Sequence, residues 1–485
     1  MSPSTSIEAL ETGTAGLETK HVDVDPAHPQ NWTLAKKVRT IIILGLMNVL
    51  ATVASSILSP GQTQIMQEFD IKKEVAILTT TLFLVGYIFG FLTFGPLSEK
   101  FGRKWPLIIG VTVSSLFELM PALGQHIPTI LIGRFFAGLF GISPVAVMGG
   151  VVSDCFATEQ RGNAMVIAVA LMFSGPTFGP VFGGFIVASS LHWRWTVWVI
   201  IICGLGLSLI AVALFPETYP PVVLRDRADA APEGKPAALS ITSAVVSAEK
   251  EGLELAQIAR LYLVRPFWLI STQPILFLLT LYQSILYGIL YLFYQSYPYS
   301  FGELRGWRTG LNTLPLLGII VGVFLGALAM ILYNQLYFRH HCHDAHGQFI
   351  PESRLPPMIL GGMLIPIGMF WYAWTSDPAI CWASSVCANL LIGGGMYLLF
   401  IQGFSYIVDC YTAMANSALG VNGAMRSVFG ASFPLFASAM FHGLGVAYAT
   451  TILGAVCVAL VPVPVCFWYW GGRIRVWSEG RVLDG

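Results

Sequence analysis

The sequence predicts an all-α membrane protein with twelve transmembrane helices in two six-helix halves. Three observations carry this expectation. The chain is 55% hydrophobic and 11% charged with mean hydropathy +0.70, whereas a soluble domain carries about 25% charged residues. A soluble interior cannot hide that much apolar surface, but lipid can cover it. Apolar runs long enough to cross a bilayer, roughly 17–25 residues each, recur along the chain. With both termini placed in the cytoplasm, 19 of the 26 Lys and Arg fall on the inside and five on the outside. That is the bias of a positive-inside topology.

In chain order, residues 1–39 are polar and contain no basic start followed by an apolar core, so they read as a cytoplasmic tail and not a cleaved signal. Spans are expected near 40–60, 76–98, 107–124, 129–152, 163–187 and 193–215, making a first half over 40–215. Residues 216–268 hold Pro220–Pro221, the run Arg225-Asp226-Arg227, an Ala/Ser-rich stretch and a charged, helix-prone segment from Glu249 to Arg260. They read as a central cytoplasmic linker. Spans near 269–297, 309–333, 356–375, 380–404, 416–441 and 448–471 make a second half over 269–471, and 472–485 form a cytoplasmic tail.

Composition also excludes several classes. Zero net charge gives no bulk electrostatic partner such as nucleic acid. Eight Cys are scattered with no CxxC, so no disulfide framework is expected. The loop His340-His341-Cys342-His343-Asp344-Ala345-His346 matches no zinc template and reads as a solvated polar loop; no metal is assigned. There is no Walker A sequence, so ATP is not the direct energy source, and neither a cofactor nor a catalytic residue is assigned.

Three motifs carry chemistry. The first is Gly95-Pro-Leu-Ser-Glu99-Lys100-Phe-Gly102-Arg103-Lys104, between the second and third spans. Its glycines permit a tight turn and close helix approach, and its charges can pair with neighbouring helix ends. The second is Gly133-Arg134-Phe-Phe-Ala137-Gly138, inside the fourth span. An unpaired Arg there costs at least about 2.5–3.5 kcal/mol, so it either serves a function or snorkels to the outer headgroups. The third is Gly175-Pro176-Thr-Phe-Gly179-Pro180-Val-Phe-Gly183-Gly184 in the fifth span. Glycines at i, i+4 and i+8 share one face that admits a neighbouring backbone, while both prolines remove helical hydrogen bonds.

The whole loop pattern, with Glu99 in place of the usual Asp, resembles the signature of the major facilitator superfamily. Ser55-Ser56-Ile-Leu-Ser-Pro60, Pro351-Glu352-Ser-Arg354 and the Asn416–Phe436 segment extend the resemblance to the fungal twelve-span drug:proton antiporters of the polyamine and multidrug-resistance type. The resemblance spans residues 28–477. It implies the major facilitator fold and exchange of inward protons for an outward drug, toxin or secondary metabolite such as a polyketide. It also implies a proton role for Arg134, a cytoplasmic latch that includes Asp154 and Arg161, and an exporter signature in the Gly-Pro helix. Transport of polyamine or another organic cation is the alternative transport reading, and a non-transporting membrane receptor or sensor is the alternative from another class.

Further candidates follow from the residues themselves. Glu118 is the only carboxylate well inside a first-half span. Either it is buried and carries a proton, or it is a polar group near the outer end. Arg426 has the same ambiguity toward the inner side. Tyr287, Tyr291 and Tyr294 share one face of the seventh span, which either lines a substrate cavity or packs against neighbours. Gln283, Gln402 and Asn422 are polar partners for such a cavity. Asn334 stands where an acidic latch residue is common in the resembling group. The expected partners are a small-molecule substrate, protons and the lipid bilayer, for a monomer in the plasma membrane.

Overall fold

The computed structural model describes residues 28–156, 158–223, 225, 265–338, 350–411 and 415–483. Among these, every element is a helix. Eleven stretches are long and apolar enough to cross a bilayer, and the last of them, Ser417–Arg475, has 59 residues. A straight helix of that length would run to roughly 89 Å, about three times the hydrocarbon thickness. It is broken at Gly445, whose φ of 75° and ψ of 164° are non-helical. The break makes the eleventh and twelfth spans.

The first span begins at Leu34, earlier than the hydropathy suggests, and runs to Ser56. A short helix, Gln62–Phe69, extends beyond it. The second span is Lys73–Phe101 and the third is Lys104–Phe117 continued by Leu119–Leu123. The fourth is split at Ile142 into Ile127–Gly141 and Ser143–Cys155, with Pro144 at the restart. The fifth and sixth are Thr158–Ala188 and Arg194–Leu214. After the described part of the linker come Pro274–Tyr294, Leu317–Tyr333, Leu355–Thr375 and Trp382–Cys410 as spans seven to ten. The His340–His346 loop and the amphipathic segment Glu249–Arg260 lie outside the described residues.

Neighbouring spans pack in a pattern that sets up the site. The first lies on the fifth, the second on the fourth, the eighth and ninth on the tenth, and the seventh on the eleventh. The most extensive pairings between the spans before the linker and those after it are the second against the eleventh and the fifth against the eighth. Hydrogen bonds stitch this seam. Thr81 donates to the Ala431 carbonyl at 3.1 Å, and Tyr397 to the Val166 carbonyl at 2.7 Å.

One motif reading needs correction. Gly95 is not part of a turn: the second span continues to Phe101, and a Cβ at Gly95 would meet nothing within 4 Å. Only Gly102 makes the turn, with φ at +85°.

Candidate functional site

Arg134 and Glu118 meet at the centre of the first six spans. The third and fourth spans form a tight antiparallel hairpin, which brings the two side chains to the same depth. Arg134 is 0% exposed and Glu118 is 1% exposed. Arg134 Nη1 donates to Glu118 Oε1 at 2.5 Å. Its Nε donates to the Thr79 carbonyl on the second span at 2.8 Å, and its Nη2 to the Ala54 carbonyl on the first at 2.7 Å. The guanidinium also sits 4.1 Å from the centre of the Phe83 ring. The planar fork thus ties four spans together, and neither snorkelling nor a polar outer end describes these residues. Glu118 Oε2 is buried with no hydrogen-bond partner. An orphaned carboxylate oxygen in an apolar interior is costly unless something fills it, and a proton can do so.

A second cluster lies at the predicted cytoplasmic end. Arg103 Nε pairs with Asp154 Oδ2 at 3.1 Å, and its Nη1 donates to the Ser98 hydroxyl at 2.7 Å. The backbone amides of Arg103 and Lys104 donate to Glu217 Oε1 and Oε2 at 2.8 and 3.1 Å. Glu217 therefore caps the free N–H groups at the start of the third span, where a carboxylate also complements the helix dipole. This explains Gly102, because a Cβ there would lie 2.5 Å from Glu217 Oε2. Lys104 Nζ reaches the Val212 carbonyl at 3.1 Å. Glu99 is half-buried near the end of the second span, and Arg161 is half-buried within electrostatic range of Asp154 and Asp409.

Spans of the second half carry a counterpart that the sequence reading missed. Arg354 pairs with Asp409 at 2.9 Å and Arg475 with Glu352 at 3.1 Å. Asn334 takes no acidic role; it donates to Asn163 across the seam at 3.4 Å. At the opposite end Arg194 pairs with Glu68 and donates to the Gly124 carbonyl at 2.7 Å.

The glycine face of the fifth span packs on the first span. Gly175, Gly179 and Gly183 face Thr52, Ser56 and Ile57 respectively, and a Cβ at Gly179 would lie 2.8 Å from the Val53 carbonyl. Gly184 points instead across the seam, 2.8 Å from Thr313 Oγ1 by the same measure. Both Pro176 and Pro180 lie inside a continuous helix. Pro180 has no N–H for the Pro176 carbonyl, and Ser56 Oγ donates to that carbonyl at 2.9 Å in its place.

The seventh-span tyrosines are divided between two tasks. Tyr291 hydroxyl pairs with Ser55 at 3.0 Å and Tyr294 with Thr177 at 2.9 Å, both across the seam. Tyr287 lines a cavity of about 20 Å³ between the halves, room for little more than one water. Thr52, Tyr87, Pro176 and Arg426 line it too. Gln283 and Asn422 bond each other at 2.8 Å beside this cavity and do not line it. Gln402 is buried on the tenth span, with its Nε2 lacking a partner. One turn from Thr52, Asn48 is buried with neither amide atom bonded.

Comparison with known proteins agrees with this architecture. The family model described as Major Facilitator Superfamily matches residues 44–434. The chain is 42% identical to the MFS-type transporter oryN of Aspergillus oryzae, over 94% of this chain and 88% of that protein. It is 40% identical to the citrinin biosynthesis cluster MFS transporter mrr1 of Monascus ruber, over 94% and 90%. It is 39% identical to the ascochitine biosynthesis cluster MFS transporter of Didymella fabae, over 94% and 87%. The crystal structure of the human organic anion transporter MFSD10 (TETRAN) shares the fold, with a TM-score of 0.57 at 15% identity, covering 88% of this chain and 99% of that one.

Proposed function

This chain belongs to the Major Facilitator Superfamily and is a multi-pass membrane transporter of small molecules, and from that premise we propose that it exports a secondary metabolite in exchange for protons. Export of a metabolite is supported by the relatives named for citrinin and ascochitine biosynthesis clusters. Proton coupling rests on one observation: a buried carboxyl held by Arg134 through one oxygen, with the other oxygen unpartnered.

In the proposed cycle Glu118 takes the proton. Protonation weakens its pairing with Arg134, which also holds the first and second spans through their carbonyls. A change at Glu118 therefore reaches the helices that border the second half, and a proton biases one access state by its differential affinity. Arg103, Asp154, Glu217 and Arg161 act as the latch on the cytoplasmic side, with Gly95, Glu99, Gly102 and Lys104 belonging to the same loop. The face made by Gly175, Gly179 and Gly183, with Pro176, Pro180 and Gly184, keeps the fifth span close to the first while the halves rock. Substrate binds between the halves near Tyr287, with Tyr291, Tyr294, Gln283, Gln402 and Asn422 around it. The proton gradient supplies the energy without a cofactor. The protein works as a monomer in the plasma membrane with both termini in the cytoplasm.

The test is accumulation of a chemically broad panel in inside-out vesicles carrying the full chain. Uptake of some planar or amphipathic compound that collapses with the pH gradient supports the reading. No gradient-dependent uptake across the panel overturns it. Polyamine export is disfavoured because the central cavity presents a cation, Arg426, and not carboxylates.

A further inference from the structure

Arg426 lies in the eleventh span at the wall of the central cavity and is 6% exposed. Four aromatic rings surround its guanidinium, with centroids at 4.7 Å for Phe404, 5.4 Å for Tyr287, 5.7 Å for Phe400 and 6.0 Å for Phe91. Ring faces stabilise a cation but offer no acceptor to its N–H donors. Nε is buried without an acceptor. No acid among the described residues lines the cavity, and Glu118, Asp154, Asp409 and Glu352 are each paired with another arginine: Arg134, Arg103, Arg354 and Arg475 respectively. Among the described residues no carboxylate pairs with Arg426, so the cavity wall carries an uncompensated positive charge.

A guanidinium held this way is a fork for two acceptor oxygens, set in a planar apolar cage. We propose that Arg426 is the anchor for an anionic group on the substrate, a carboxylate or an acidic enol or phenol carried on an aromatic or otherwise planar skeleton. This rests on the export reading only in placing substrate between the halves. Thr52, Tyr87, Met172 and Pro176 come from spans before the linker, and Tyr287, Arg426 and Ser427 from spans after it. At about 20 Å³ the cavity is too small for such a molecule, so the halves must part to admit it. The rings then stack on the skeleton while the guanidinium takes the charge. Where transport meets the membrane potential, an anion leaves an inside-negative cell down the electrical gradient.

The test compares 2-naphthoate with its neutral isostere 2-naphthamide on the purified full-length protein, by ligand-dependent shift in Tm. The wild-type protein should bind the carboxylate about tenfold tighter, as a charge-assisted hydrogen bond predicts. Arg426→Gln should abolish the preference while binding the amide as wild type does, and Arg426→Lys should keep part of it. Equal affinities on the wild type, or an undiminished preference in Arg426→Gln, would overturn the proposal. If the glutamine variant does not fold, the wild-type comparison decides alone. Carboxylate preference without vesicle transport of any compound would uphold the anion site and overturn the export reading. Transport without that preference would do the reverse.

Discussion

Arg134 makes a bond to each of three neighbouring helices, and each of its three nitrogens has its own acceptor. A lysine carries the same charge but a single nitrogen, so it cannot reach Glu118, Thr79 and Ala54 together. Removing one partner of a buried ion pair typically costs about 3–5 kcal/mol, much of it from the charge left behind. Arg134→Ala should therefore lower the unfolding midpoint in detergent and abolish gradient-driven transport. Arg134→Lys should restore some stability without restoring coupling. Normal pH-dependent transport by either variant would remove Arg134 from the mechanism. The sequence marked both residues as intramembrane charges but not as partners. A signal was present: the turn at Gly124–His126 lies midway between positions 118 and 134, so a hairpin there must set them at equal depth. Glu217 left no such signal, because its task is to cap the amides of residues 114 and 113 positions earlier in the chain.

The fifth span owes its place to a match of small surfaces and misplaced donors. Its glycine spacing was legible as one face, since i, i+4 repetition is a local property. Which helix would cover that face was not, because packing partners depend on the whole topology. The answer is the first span, where Ser56 supplies the donor that Pro180 lacks. Ser56→Ala should cost roughly 1 kcal/mol for the lost hydrogen bond, read as a small drop in thermal midpoint. Gly179→Leu should be far worse, because its Cβ alone would lie 2.8 Å from the Val53 carbonyl and 3.0 Å from the Ile57 nitrogen. The expected result is loss of transport even where protein reaches the membrane, measured by uptake normalised to surface protein. Undiminished uptake would mean the first and fifth spans can part freely. Gly95 carries the opposite lesson: a glycine within a motif reads as a turn, but a helix that continues to Phe101, six residues past it, leaves it as an ordinary helical position.

Across the whole molecule the two sets of spans are closed on each other along the seam. Asn163 and Asn334 meet near the predicted cytoplasmic end, and Gly184 meets Thr313 and Gly310 on the fifth–eighth pairing. If alternating access requires this seam to open, a reversible cross-link should stop it. Cysteines at positions 163 and 334, joined by a short cross-linker in a background without the native cysteines, should halt transport, and reduction should restore it. Continued transport while cross-linked would contradict a rocking motion at that end. Hydropathy and charge bias made the spans and the halves legible, since both follow from what lipid tolerates. The Arg354–Asp409 pair was not legible: Arg354 lies in a recognised run, but its partner is 55 positions away on another helix, and nothing local pairs the two.

The central claim is that Glu118 carries the coupled proton. It is tested most directly by proton movement, read with an entrapped pH dye, in proteoliposomes that transport a compound from the vesicle panel. Wild-type protein should move protons opposite to the compound. Glu118→Gln, close in shape and able to face Arg134 through its amide oxygen, should still exchange compound between equal pools but move no protons with it. Compound flux by Glu118→Gln accompanied by wild-type proton movement would contradict the account.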